Sequence, residues 1–322
     1  MHNIKVFVIV IFLSLIFFNT NGLSQELFPN RPIVLVEWSS GGMGDNVTRV
    51  LCSAAEKELG KPFIIDHRPG AGGALAVNYV LKSKPDGYTI GRTTTGIHWI
   101  LPHMRKMPYD PLTELTDIMA FCKYNFGLCV RADAPWNTYE DVLEYARKNP
   151  GKFTYACAGV GVTQHICMER IAMKEGIKWT MVPFKSGAES TMAVLGAHTD
   201  AVVQGSVDVT SYIKTGKLKM LLVLNDSRWP DFSNVPHILE KGYNFSAVSY
   251  LSFYGPKGMP EPLRQKLEDV LKNAMKAPSF MEMVDKFKLE ASFVSGREFS
   301  VVWRSGYDEM GKVIKAMGLS EK

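Results

Sequence analysis

The stretch Ile33-Val-Leu-Val-Glu-Trp-Ser-Ser-Gly-Gly-Met-Gly-Asp45 decides the reading of the fold. A β-prone apolar run, Ile33–Trp38, stops at two serines and a glycine pair, and helical periodicity follows at once. Over Asp45–Leu59 the residues Val47, Val50, Leu51, Ala54, Ala55 and Leu59 fall on one face. A strand that turns through glycines into a helix leaves backbone N–H groups and the positive end of a helix dipole aimed beyond the strand tip, which is how proteins hold anions.

The alternation continues outward from this unit. Pro62–Asp66 and Tyr88–Arg92 read as strands around a helical Ala74–Lys82. Phe121–Val130 is one apolar β-prone segment, and Thr138–Lys148 is a helix closed by Asn149-Pro150-Gly151. A second set then begins: strand Phe153–Ala158, a Gly-rich loop, helix His165–Lys174, strand Trp179–Phe184, helix Ala188–Leu195 and strand Asp200–Gln204. Leu218–Leu224 and Ala247–Tyr254 precede three helical stretches, Pro262–Lys276, Ser279–Lys286 and Arg297–Met317. Strands alternating with helices predict α/β lobes, each a mainly parallel sheet flanked by helices. Two copies of the theme predict two lobes. Because the first sheet needs helical cover from the distant C-terminal helices, the chain is expected to leave lobe one near Arg131 and return near Ser249. This makes residues 25–131 plus 249–322 lobe one and 132–248 lobe two, joined by two crossover hinge strands.

Before this begins, a short positive start and the apolar run Val6–Phe18, broken only by Ser14, lead to small residues near Gly22 and Ser24. The pattern is that of a secretory signal peptide, residues 1–24, and the run is shorter than the ~20 residues a membrane-spanning helix needs. The expected location is periplasmic. The net charge of +5 falls to +4 when Lys5 is removed, and it is spread without basic blocks, which suits small anions and gives no support to nucleic acid. Five cysteines, Cys52, Cys122, Cys129, Cys157 and Cys167, form an odd set without metal-ligand spacing, and most lie among apolar neighbours as small hydrophobes.

The second Gly-rich loop, Ala158-Gly159-Val160-Gly161-Val162-Thr163-Gln164-His165, sits in the same context as the first. Two such loops on two lobes predict a shared anion between them. Rival readings each lack a part. Neither loop completes G-x-G-x-x-G, and no Walker lysine is present. A hydrolase built on Cys157, His165 and Asp45 or Asp200, or on a Ser39 or Ser40 hydroxyl, lacks a nucleophile elbow. Asp45, at a helix start, is expected to brace its loop rather than touch a carboxylate, with Arg49 one turn on.

Taken together, these residues resemble the periplasmic substrate receptors of tripartite tricarboxylate transporters, the Bug-type solute-binding proteins. The resemblance runs from about Arg31 to the last helix. It is carried by Val36 through Gly41-Gly42-Met43-Gly44-Asp45 with Arg49, by Asp66-His67-Arg68-Pro69-Gly70-Ala71-Gly72-Gly73, and by Pro85-Asp86-Gly87-Tyr88-Thr89. Tyr109-Asp110-Pro111, Asn149-Pro150-Gly151-Lys152, Gly159-Val160-Gly161 with His165, Val182-Pro183-Phe184-Lys185 and Val235-Pro236 complete it. The resemblance implies a periplasmic-binding-protein fold, type II-like, whose hinge closes on a small organic carboxylate held by the two loops and delivered to the permease subunits of a tripartite tricarboxylate-type transporter. It implies a monomer with no reaction, cofactor or metal; an exported hydrolase and a ligand-sensing partner of a membrane kinase are the alternatives. Carried onto this chain, the ligand-binding set is Trp38, Ser39, Ser40, Gly41, Gly42, Met43, Gly44 and Asp45 from the first loop and Gly161, Val162, Thr163 and His165 from the second. Thr95 (with Thr94), Lys185, Gln204 and Gly205 at strand ends complete the set. Ser40, Trp38, Val162 and Phe184 depart from the family pattern in a direction that predicts a less polar pocket, for an acid with an apolar or aromatic body.

Overall fold

The computed structural model describes residues 28–321; the expected signal peptide, residues 1–24, lies outside the described residues. In chain order the first part contains β1 (Ile33–Glu37), α1 (Met43–Leu59), β2 (Phe63–His67), α2 (Ala74–Leu81), β3 (Thr89–Thr94), α3 (Thr95–Trp99), α4 (Leu101–Met104) and β4 (Leu115–Lys123). The middle contains β5 (Phe126–Arg131), α5 (Tyr139–Lys148), β6 (Thr154–Cys157), α6 (Thr163–Glu175), β7 (Thr180–Pro183), α7 (Gly187–Leu195), β8 (Ala201–Gly205), α8 (Ser206–Lys214) and β9 (Leu218–Val223). The chain ends with β10 (Tyr250–Pro256), α9 (Glu261–Ala274), α10 (Pro278–Lys286), β11 (Glu290–Ser295), α11 (Gly296–Ser305) and α12 (Tyr307–Ala316).

Two sheets result, ordered β11-β4-β10-β3-β1-β2 and β7-β6-β8-β5-β9. Both are mixed. β1 to β4 run one way in the first while β10 and β11 oppose them, and in the second only β5 runs against its neighbours. Each sheet thus repeats one order, in which the strand arriving from the other lobe is inserted between the third and fourth strands. Helices cover both faces. On the first sheet, Val47, Leu51 and Cys52 of α1 pack with Leu267 and Leu271 of α9 over Ile33, Leu35 and Phe253. The opposite face buries Val77, Phe299 and Trp303. The second sheet buries Tyr155, Met168 and Ile171 on one side and Val194, Val202 and Val209 on the other. Apolar area removed from water on four such faces supplies the main stabilisation of each lobe.

Several boundaries differ from the sequence reading. The segment Phe121–Val130 is not one strand: β4 ends at Lys123 and β5 begins at Phe126. The first crossing therefore lies at Tyr124–Asn125 rather than near Arg131, and Phe126–Arg131 belongs to the second sheet, paired antiparallel with β8 and β9. The buried Asn225 side chain fixes the break. Its Oδ1 accepts from the Phe126 N–H at 2.7 Å while its Nδ2 donates to the Tyr124 carbonyl at 2.6 Å. The returning chain passes beside this break, the Tyr124 N–H donating to the Ser249 carbonyl at 2.9 Å. The long helix expected over Arg297–Met317 breaks at Gly306, where any Cβ would lie 2.6 Å from the Trp99 ring. The strand β11 was not anticipated.

All five cysteines are free and buried. Burial pushes the Cys157 and Cys167 thiols up to about 12. No helix among the described residues is long and apolar enough to cross a membrane.

Candidate functional site

The first loop rests on a charge pair. Glu37 ends β1 in a fully buried position, and a carboxylate there requires a partner. Arg92 of the neighbouring β3 supplies it: Nε donates to Oε2 at 2.7 Å, and Nη2 bonds both Oε1 and the Ser39 hydroxyl, the latter at 3.1 Å. The Ser39 N–H donates to Glu37 Oε1 at 3.2 Å. Gly44 lies on the same guanidinium, where a Cβ would come within 3.1 Å of Nη2. Its lack of a side chain admits Arg92. Asp45 braces the loop as expected, accepting from the Gly41 N–H at 2.9 Å, with Arg49 Nε at 3.0 Å and His67 Nε2 at 3.3 Å. Burial alone would raise its pKa, but these hydrogen bonds outweigh burial and hold the carboxyl below its ordinary range.

The second loop is shaped by glycines at φ +107 (Gly159) and +78 (Gly161), which side chains rarely adopt. The Gly161 N–H donates to His165 Nδ1 at 2.9 Å. Burial lowers the His165 pKa to about 4, so the ring is neutral at pH 7 and Nδ1 keeps the lone pair that this bond uses.

The helices behind both loops begin without side-chain caps, the N-cap residues being Gly42 for α1 and Val162 for α6, and α8 likewise starts from an uncapped Gly205. By contrast α5 is closed by a Thr138–Asp141 capping box. The uncapped first turns of α1 and α6, one from each lobe, leave backbone N–H groups for an outside acceptor.

Between the lobes lies a cavity of about 510 Å3, a size ordinary for a small-molecule site. Trp38, Met43, Gly161, Val162, Thr163, Gln204 and Gly205 line it, as does Thr94. Other predicted residues stand elsewhere. Ser39, Gly44 and Asp45 belong to the support beneath the first loop; Ser40, Gly41 and Gly42 are exposed on its outer turn. Thr95 is buried and its hydroxyl accepts the Tyr250 N–H at 2.9 Å, so it holds β10 to the α3 start instead of facing the cavity. His165 is one layer back, supporting Gly161. Lys185 is exposed beyond β7, with its N–H on Glu189, because the chain turns there into the Ser186-capped α7. Gln204 is on the wall, but its amide nitrogen donates to Ser190 Oγ at 2.8 Å.

Sequence reasoning missed the apolar wall from α3 and α4 (Ile97, Ile100, Leu101, Met104), the hinge aromatics Tyr124 and Phe126, and the polar pair Gln164 and Asp208. The Glu37–Arg92 pair had a signal: a charged residue inside an apolar strand demands an opposite charge on a neighbouring strand. The lobes touch at the rim. Ile100, between α3 and α4, packs with Ile166 of α6 and with Met310 and Ile314 of α12, and Arg170 pairs with Glu309 across the gap. Cys157 is fully buried with a raised thiol pKa and His165 Nδ1 is occupied, so these two do not form a nucleophile–base pair.

Residues 47–319 match the sequence profile of the tripartite tricarboxylate transporter family receptor. A Cupriavidus necator protein, named as the UPF0065 protein in the gbd 5' region, is 35% identical over 92% of this chain and 90% of its own. A TctC solute-binding protein from Polaromonas superposes with a TM-score of 0.83 at 27% identity, over 90% of this chain and 99% of the other. The R. palustris protein Rpa4515, solved with adipate, superposes with a TM-score of 0.73 at 26% identity, covering 91% and 99%. The two-lobed α/β fold, the paired strand-loop-helix junctions and the profile match over most of the chain agree: this protein belongs to the tripartite tricarboxylate transporter receptor family.

Proposed function

We propose that the chain is a periplasmic receptor that binds a small organic carboxylate between its lobes and delivers it to the membrane permease of a tripartite tricarboxylate-type transporter, without catalysing a reaction. The observation that carries this reading is the arrangement of α1 and α6, whose uncapped first turns approach one cavity from opposite lobes. The adipate held by the R. palustris relative supports the same ligand class. Among the described residues lining the cavity there is no Lys, Arg or His, so the donors to a carboxylate are peptide N–H groups together with neutral side chains such as Thr94, Thr163 and Gln164. Micromolar affinity needs about −8 kcal/mol, and hydrogen bonds to a charged group contribute roughly 1.5–3 kcal/mol each. Donors from one lobe fall short once association entropy is subtracted, so binding and lobe closure are linked.

A thermal-shift screen of the chain without residues 1–24 tests this against mono-, di- and tricarboxylates, aromatic ones included. A ligand at ~100 times its dissociation constant adds ~2.7 kcal/mol of stability. At least one acid is expected to raise Tm in this way, and no shift from any acid overturns the reading.

A further inference from the structure

The cavity that lacks a basic side chain contains an acidic one. Asp208 stands in the first turn of α8 and lines the cleft wall. Its carboxyl group lies flat over Gly187 at the start of α7, where a Cβ would fall 2.2 Å from Oδ2 and 2.5 Å from Cγ, so that only glycine leaves room for it. A first-turn Asp ordinarily returns its carboxylate to the N-cap backbone N–H of its own helix. Asp208 does not: burial is the only influence on its titration, and no backbone N–H among the described residues is bonded to its carboxylate. Its oxygens find no hydrogen-bond or ion-pair partner among the described residues, and burial raises its pKa. Gln164, on the same wall, is likewise unpartnered among the described residues.

We infer that Asp208 makes the cleft selective for a monocarboxylate that also carries an ammonium group, a zwitterion with an apolar body, with the ammonium facing Asp208 and the carboxylate facing the first turns of α1 and α6. The inference rests on the receptor reading above and names the substrate class of that site. The charge balance leads to it. An incoming carboxylate is matched by helix N-termini; a second carboxylate would share a cavity with Asp208 and meet no side-chain cation, whereas an ammonium would satisfy Asp208 by a charge-assisted hydrogen bond. Trp38, Ile97, Met104 and Phe126 give the wall an apolar stretch that suits the ligand body.

Matched triplets of probes test it on the chain without residues 1–24. Each triplet is an amino acid, the same skeleton without its amine, and a diacid of similar length: phenylalanine, 3-phenylpropionate and phenylsuccinate, then leucine, 4-methylpentanoate and 2-isobutylsuccinate. Calorimetric titration is expected to rank the amino acid first in at least one triplet. Asp208→Asn is expected to weaken that amino acid about ten- to a hundredfold, the share of one charge-assisted hydrogen bond, and to strengthen the diacid. Asp208→Ser, which removes the acceptor fork altogether, is expected to behave alike, and circular dichroism checks that both variants fold. If diacids bind the wild type more tightly than their amino acids, or if neither substitution changes the ranking, the inference is overturned while the carboxylate receptor stands. If no member of any triplet binds and the wider acid screen is also silent, the receptor reading falls and this inference falls with it.

Discussion

Met104 of the first lobe and Gly161 of the second face each other across the cleft rim, so close that a Cβ on Gly161 would lie 2.4 Å from Met104 Cε and 2.5 Å from its Sδ. The contact ties the end of α4 to the glycine loop that opens α6. Gly161 is therefore required twice, by its φ of +78 and by the approach of the other lobe.

Gly161→Ala is expected to lower the stability of the ligand-free protein by about 1–2 kcal/mol from backbone strain. It is also expected to weaken acid binding about tenfold, equivalent to 1.4 kcal/mol, because Met104 must swing aside before the rim closes. Adding Met104→Ala should restore part of the affinity and none of the stability. Calorimetric titration and urea unfolding of the three variants measure both effects. Equal losses of affinity in the single and double variants would show that the rim contact is irrelevant to binding.

Arg92 and Glu37 form the buried pair beneath the first loop. Arg92→Met leaves a carboxylate at zero exposure without its partner, and removing one member of such a pair costs about 3–5 kcal/mol. Glu37→Gln combined with Arg92→Met is expected to recover more than half of this loss, since no uncompensated charge remains. Urea unfolding of the four-protein cycle tests the coupling, and additive losses would contradict it.

His165 gives the binding loop a pH limit. Burial lowers its folded-state pKa from the ordinary 6.5 to about 4, so between these values the unfolded chain holds a proton that the folded protein does not. Stability tied to this residue is full above about pH 6.5 and is lost as pH falls toward 4. His98, whose pKa burial and then Arg304 lower to about 3, adds a loss of the same sign. His165→Asn keeps an acceptor for the Gly161 N–H and removes the titration, so its stability should decline less steeply between pH 6 and 4.5, by up to about 1.4 kcal/mol per pH unit. Parallel slopes for wild type and variant, measured by urea unfolding, would show that His165 titrates normally.

How much of this was legible in the sequence follows from the range of the forces involved. The junctions β1–α1 and β6–α6 were readable because each prints a complete local code: an apolar run, glycines, then a 3.6-residue period. Asp45 was readable as a loop brace because the bond to Gly41 spans four residues. The break between β4 and β5 was hidden, since Cys122-Lys-Tyr-Asn-Phe126 interrupts the apolar run only slightly and the fixing residue, Asn225, is about a hundred positions away. The strand β11 is half-buried along its length and shows no alternation. Asp208 carried a misleading local signal, that of an ordinary helix-start carboxylate. Its place on the cleft wall exists only once β8, α7 and α8 are assembled, and the same holds for Met104 against Gly161.

The central claim is that peptide N–H groups from two opposing helix starts hold one carboxylate. Amide 1H–15N correlation spectra, recorded while the best-stabilising acid is titrated, read those groups directly. The account predicts that the amides of Met43–Asp45 and of Val162–Gln164 move together, saturate with a single affinity and shift downfield as they take up a charged acceptor. If the acid binds and either set stays still, or if the perturbed amides cluster away from both helix starts, the two-sided capture described here is contradicted.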